Sequence, residues 1–77
     1  MSDTSHHDRQ ILLVADVVES SATAAGYLRM VVNSADLRDR AGMRYHMKCA
    51  VACVKAAVRS LKYFEEITAT ETSEAAQ

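Results

Sequence analysis

The sequence contains no proline and no tryptophan, and it has only two glycines and two cysteines among 77 residues. Two isolated glycines cannot form a glycine-rich phosphate-binding loop. Two cysteines are too few for the disulfide scaffold of a small secreted protein, so we expect a cytoplasmic protein in a reducing compartment. The longest stretch without a charged residue is 20–28. A transmembrane helix needs ~20 mostly apolar residues, so no membrane association is expected.

The length allows one domain, because ordinary domains have ~100–200 residues. We expect a short flexible lead at residues 1–4, a helical domain at 5–67 and an acidic tail at 68–77. The tail has no large apolar side chain to bury, and it is therefore expected to be disordered.

The first long apolar segment has the periodicity of a helix. Ser5 and Asp8 have the spacing of a capping box, which predicts a helix start. Apolar residues then recur every three or four positions and form one stripe. The stripe consists of Ile11, Val14, Val18, Ala22, Ala25, Leu28 and Val32. Small residues at 20–26 would let a partner helix approach closely.

The second segment has a clearer helical repeat, with the spacing of a coiled-coil or bundle core. Its members are Met43, Met47, Ala50, Val54, Ala57, Leu61 and Phe64. We expect the chain to break near Asn33 and Ser34, with the second helix starting at 35–37 and tolerating Gly42. Alternatively, Gly42 ends an extension of the first helix. Either way, the sequence predicts an all-α protein, a two-helix antiparallel hairpin.

The apolar arc of the second helix is too wide for one neighbour. It covers roughly 200°, whereas a helix that packs on one partner needs ~100°. We therefore expect two hairpins to form a four-helix bundle, a two-fold homodimer, with the seven residues from Met43 to Phe64 as its core. The alternative is that the extra face binds a different protein.

Charge is strongly segregated along the chain. Residues 40–64 contain six basic residues and no acidic one, although the net charge of the protein is −1. Five of the six fall within an arc of about 60° and form a stripe ~27 Å long on the second helix. They are Arg44, Lys48, Lys55, Arg59 and Lys62. We take them as candidate partner-binding residues for an acidic protein, while a plain solvated face is the structural alternative.

His46, Cys49 and Cys53 lie on one side of the second helix and could supply soft metal ligands across a two-fold axis. The pattern is weak, because a single chain provides fewer than four ligands. Their apolar neighbours favour cysteines that act as small hydrophobic residues, so no metal or other cofactor is expected. No acidic residue is placed to work with this group, and the sequence therefore predicts a protein that is not an enzyme.

These patterns favour a small interaction or regulatory module, an adaptor or inhibitor that docks on a partner protein. The alternative is a nucleotide or nucleic-acid binding protein that uses the basic stripe together with Tyr45 or Tyr63. Over residues 5–67 the layout is similar in form to small helical-hairpin regulators and antagonists from bacteria and their phages. No diagnostic motif accompanies that similarity.

Overall fold

The computed structural model describes the backbone of residues 2–76 and the side chains of residues 5–71. It consists of helix α1, Ser2–Asp36, and helix α2, Arg40–Ala76, packed side by side in opposite directions. The hairpin measures 58 × 16 × 12 Å. The predicted all-α antiparallel hairpin is confirmed.

Both helices are longer than the sequence predicted. α1 begins at Ser2, so the expected lead at 1–4 is helical from its second residue, and Ser5 lies within the helix. α2 continues to Ala76, through most of the segment for which we expected disorder. Side-chain contacts with α1 extend into that segment, because Gln10 donates hydrogen bonds to Thr68 and Glu71. Met1 and Gln77 lie outside the described residues.

The turn between the helices comes later than predicted, although Gly42 lies within the second helix as the first interpretation expected. α1 continues past Asn33 and Ser34 to Asp36, and Gly42 lies in the first turn of α2. The residue that ends α1 in the left-handed conformation is Arg38, with φ of 57°. Glycine is usual at such a position, since other side chains are strained there.

Hydrogen bonds explain why the chain turns at this point. The amide of Asp39 donates to the carbonyl of Ser34 at 2.8 Å, and the amide of Arg38 donates to the carbonyl of Ala35 at 3.0 Å. Together they form a Schellman motif. The Asp39 carboxylate then accepts from the amide of Gly42 at 2.9 Å, which makes Asp39 the N-cap of α2. One residue thus completes the end of α1 and starts α2.

Small side chains form the contact between the helices. The buried apolar residues among those described are Ala24, Ala50 and Ala57, and Ser34 is the buried polar residue. Half-buried residues continue this contact, which we call the seam. On α1 they include Leu13, Val17, Ser20, Tyr27 and Val31, and on α2 they include His46, Cys49, Cys53, Ser60 and Phe64.

The α1 stripe predicted from periodicity does not face α2. Its large residues stay exposed, with 63% of Val18 and 59% of Val32 accessible to solvent. The neighbouring arc, centred on Ala24, packs against α2 instead. The small residues Ala24, Ala50 and Ala57 allow the two helices to pack closely around them, and the large residues of the predicted stripe stay outside this contact.

Candidate functional site

One broad face of the hairpin is apolar and exposed. Ten large aliphatic or methionine side chains on it are each between 44% and 63% accessible to solvent. We call this set the apolar face. It consists of Ile11, Val14, Val18, Leu28 and Val32 from α1, and Met47, Val51, Val54, Val58 and Leu61 from α2.

A groove of about 390 Å³ runs along the middle of the apolar face between the two helices. Its floor is made of small side chains, among them Ser21, Ala24 and Ala57. Its walls are Leu28 and Leu61 together with valines of both helices. A second groove continues towards the open end of the hairpin, past Ile11 and Val14. Both grooves lie on the same side of the molecule.

The opposite face has a different chemistry. Its central depression is lined by polar or small side chains, including Asp16, Glu19 and Thr23 from α1. α2 contributes Ala52, Cys53 and Ala56 to that depression. The two faces of the hairpin are therefore chemically distinct, and only one of them exposes a wide apolar surface.

All five predicted partner-binding residues are exposed. They follow the outer side of α2, away from α1, and we call them the basic ribbon: Arg44, Lys48, Lys55, Arg59 and Lys62. At 100° per residue the ribbon borders the α2 half of the apolar face. A groove of about 470 Å³ joins the two surfaces, with Met47 and Val51 beside Arg44, Lys48 and Lys55.

The basic ribbon is not neutralised within the hairpin. Among the side chains of residues 5–71, none of the five cations lies within 4.0 Å of a carboxylate oxygen. The pair of basic and acidic side chains within 4.0 Å in that range is His6 and Glu71, with 3.9 Å between Nδ1 and Oε1. The ribbon therefore presents an uncompensated row of positive charge to solvent.

The seven residues predicted as a dimer core divide between two environments. Ala50 and Ala57 are buried against α1 within the chain itself. Met47, Val54 and Leu61 remain 45–47% exposed and belong to the apolar face. Met43 and Phe64 are half-buried, so their exposure lies between that of the two groups. Their role as the core of a dimer stays a prediction.

The predicted histidine and cysteine cluster lies in the seam. His46 stacks on Tyr27, with ring centroids 6.4 Å apart, and contacts the edge of Tyr45 at 5.3 Å. Hydrogen bonding to Cys49, followed by the charges of Cys49 and Tyr27, raises the pKa of Tyr45 above its ordinary value of 10.0. Cys49 and Cys53 are free thiols. Among the described side chains, no three His, Cys, Asp or Glu residues are close enough together to hold a metal ion.

Sequence reasoning missed the polar cluster at the open end of the hairpin. Gln10 Nε2 donates to Glu71 Oε2 at 3.1 Å and to Thr68 Oγ1 at 3.4 Å. Because these partners are about sixty positions apart in the sequence, no local pattern could have revealed them. The cluster fixes the register of the two helices at the end opposite the turn.

α1 also meets the length and composition of a membrane-crossing helix over 5–36. The same stretch contains Asp16 and Glu19, and an aspartate at the centre of such a helix costs ~2.5–3.5 kcal/mol on insertion. The absence of a membrane partner therefore stays a prediction.

No family model, curated protein or solved structure matches the chain. The functional inference therefore depends on the chemistry of the exposed faces of the hairpin.

Proposed function

We propose that this protein is a small, non-enzymatic, cytoplasmic interaction module that docks on an acidic surface of a partner protein through α2. The observation that carries the proposal is the groove on the outer side of α2, where cationic and apolar side chains alternate. The groove is lined by Arg44, Met47, Lys48, Val51, Ala52 and Lys55.

A mixed lining of this kind fits an amphipathic acidic helix. The apolar side of such a helix would bury Met47 and Val51, and its carboxylates would pair with the flanking cations. The aliphatic stems of Lys48 and Lys55 add to the apolar area while their ammonium groups stay in water. The cations are available for this role, because no described carboxylate pairs with them.

The test uses a fluorescently labelled helical peptide with leucine on one face and glutamate on either side of it. We expect the double variant Lys48→Glu/Lys55→Glu to bind this peptide at least about tenfold more weakly, a loss of ~1.4 kcal/mol. The matched control reverses two exposed charges on α1, Arg9→Glu/Arg29→Glu, and should bind like the wild type. Far-UV circular dichroism checks that both variants keep their helices.

Two results would contradict the proposal. The first is unchanged affinity of the α2 double variant for the peptide. The second is an equal loss in the α1 control, since it would mean that the peptide responds only to net charge. Either result would leave the basic ribbon as a solvated surface.

Nucleic-acid or nucleotide binding is the second candidate, and the positions of two tyrosines favour it. Tyr45 and Tyr63 are 61% and 50% exposed and lie beside the basic ribbon, on the side away from the apolar face. Exposed aromatic rings next to cations can stack on bases. Binding that strengthens with oligonucleotide length and weakens steeply with salt would support this candidate over the acidic helix.

A further inference from the structure

We propose that a second copy of this chain covers the apolar face, with α1 of each copy packed against α2 of the other. The apolar face shares Met47 and Val51 with the groove beside the basic ribbon, so a second copy and an acidic helix compete for these two side chains, and the oligomeric state is tested separately from peptide binding.

The hairpin on its own has almost no interior. A hairpin with two helices of 35 and 37 residues buries only three apolar residues among those described, and all three are alanines. No large side chain in that part of the chain is fully buried. Ten of the fifteen exposed large hydrophobic residues among those described lie together on one face, whereas a small domain normally places such residues inside. A matching layer would turn that face into a core.

The hairpin is large enough to bury a second copy. It is 58 Å long and 16 Å wide, and the apolar face occupies about 32 Å of that length on α1, from Ile11 to Val32 at 1.5 Å per residue. A copy laid along the whole hairpin would cover a footprint of roughly 900 Å² per chain, about half of it on the apolar face, compared with the ~800 Å² per partner that stable interfaces bury. A contact between two such faces is self-complementary, because each provides both a groove lined by Ser21 and Ala24 and projecting side chains such as Val18 and Val58.

Charge decides the orientation of the two copies. If α2 packed along α2 of the other copy, two basic ribbons would run side by side, since packed helices lie 8–10 Å apart. Packing α1 against the other copy's α2 separates the ribbons to opposite edges of a four-helix bundle. The two-fold axis then runs parallel to the helices, and neighbouring helices are antiparallel. The bundle would present two independent ribbons to partners.

Light scattering on a sizing column tests the assembly. We expect a mass of twice 8.4 kDa for the wild type. Leu28→Glu, in the wall of the central groove, should elute as a monomer at a concentration where the wild type is dimeric. Leu12→Glu is the matched control, because Leu12 is 65% exposed on α1 but lies outside the apolar face. It should remain a dimer.

A monomeric wild type would overturn the proposal, and so would equal behaviour of the two leucine variants. A wild type that stays monomeric and co-sediments with anionic lipid vesicles would overturn it in favour of a membrane surface. A loss of helix in Leu28→Glu would not invalidate the test, because the mass of the wild type alone shows whether the protein forms a dimer.

Disulfide cross-linking tests the orientation. Val18→Cys and Val58→Cys are made separately in chains whose native cysteines are replaced by alanine, and the two proteins are mixed and oxidised. Val58 lines the central groove beside Val17, so positions 18 and 58 lie at the same height along the hairpin. Packing of α1 on the other copy's α2 predicts mainly mixed disulfides, whereas a majority of disulfides between identical chains would overturn it.

Discussion

Gly42→Ala is the substitution that most directly tests how the two helices meet at the turn. A Cβ atom on Gly42 would lie 2.8 Å from Cγ of Asp39 and 2.8 Å from Oγ of Ser34. The closest atom it would meet is a carboxylate oxygen of Asp39. That carboxylate caps α2 through the amide of Gly42, and Ser34 is 94% buried, so neither group can move freely.

The expected loss of stability follows from three contributions. Forcing a methyl group into a filled space costs ~1–3 kcal/mol. Displacing the Asp39 cap costs ~1 kcal/mol more. The better helix propensity of alanine offsets at most ~1 kcal/mol. We therefore expect Gly42→Ala to lower the free energy of unfolding by about 1–3 kcal/mol.

Gly26→Ala is the matched control, since it makes the same chemical change in the middle of α1. A Cβ atom on Gly26 would meet nothing within 4 Å. Only the helix propensity of the residue changes here, so the free energy of unfolding of this variant should rise by ~0.5–1 kcal/mol. The two alanine variants are thus expected to move stability in opposite directions.

Thermal unfolding followed by circular dichroism, at one fixed protein concentration, measures both changes. For a domain of this size, 1 kcal/mol corresponds to ~4–8 °C in Tm. A Gly42→Ala protein as stable as the wild type would refute the close approach at the turn. Equal losses in both variants would refute the distinction between a crowded and an open glycine.

Three further predictions concern the turn and the open end of the hairpin. Arg38→Gly should raise stability by ~1 kcal/mol, because glycine is not strained at φ of 57°, whereas Arg38→Ala should gain nothing in the same thermal assay. Asp39→Ala should lower the urea midpoint by the equivalent of ~1 kcal/mol, and Asp39→Asn, which can still cap α2, should stay close to the wild type. Gln10→Ala removes two hydrogen bonds to α2, so amide hydrogen exchange should accelerate around Thr68 and Glu71. Unchanged exchange there would mean that these bonds do not hold the end of α2.

The positions of the turn and the helix ends could be predicted only approximately. Asn33, Ser34 and Asp39 are all residue types that cap helices, and the sequence alone does not rank them. The left-handed position suggested glycine, but the chain uses Arg38, since the Schellman hydrogen bonds outweigh the strain of a larger side chain. Gln10 of α1 makes hydrogen bonds to the helix at Thr68 and Glu71, and no local sequence pattern contains these contacts.

The candidate surface was partly predictable. Arg44, Lys48, Lys55, Arg59 and Lys62 share one side of α2 because helical geometry alone places them there, and their exposure follows from their charge. The apolar lining beside them depended on which side of α2 turned towards α1. That choice required the tertiary structure.

The sequence by itself determined two long helices, their antiparallel pairing and the separation of basic from acidic segments. Helix length and charge distribution are local properties that are read within one helix, and the antiparallel pairing follows from the short connection between the two helices. Only the tertiary structure decided which arc of each helix became the seam. Ala24, Ala50 and Ala57 form that seam although larger residues lie beside them, because the separation of two helices depends on the side chains of both at once. The same choice left the ten large side chains of the apolar face exposed.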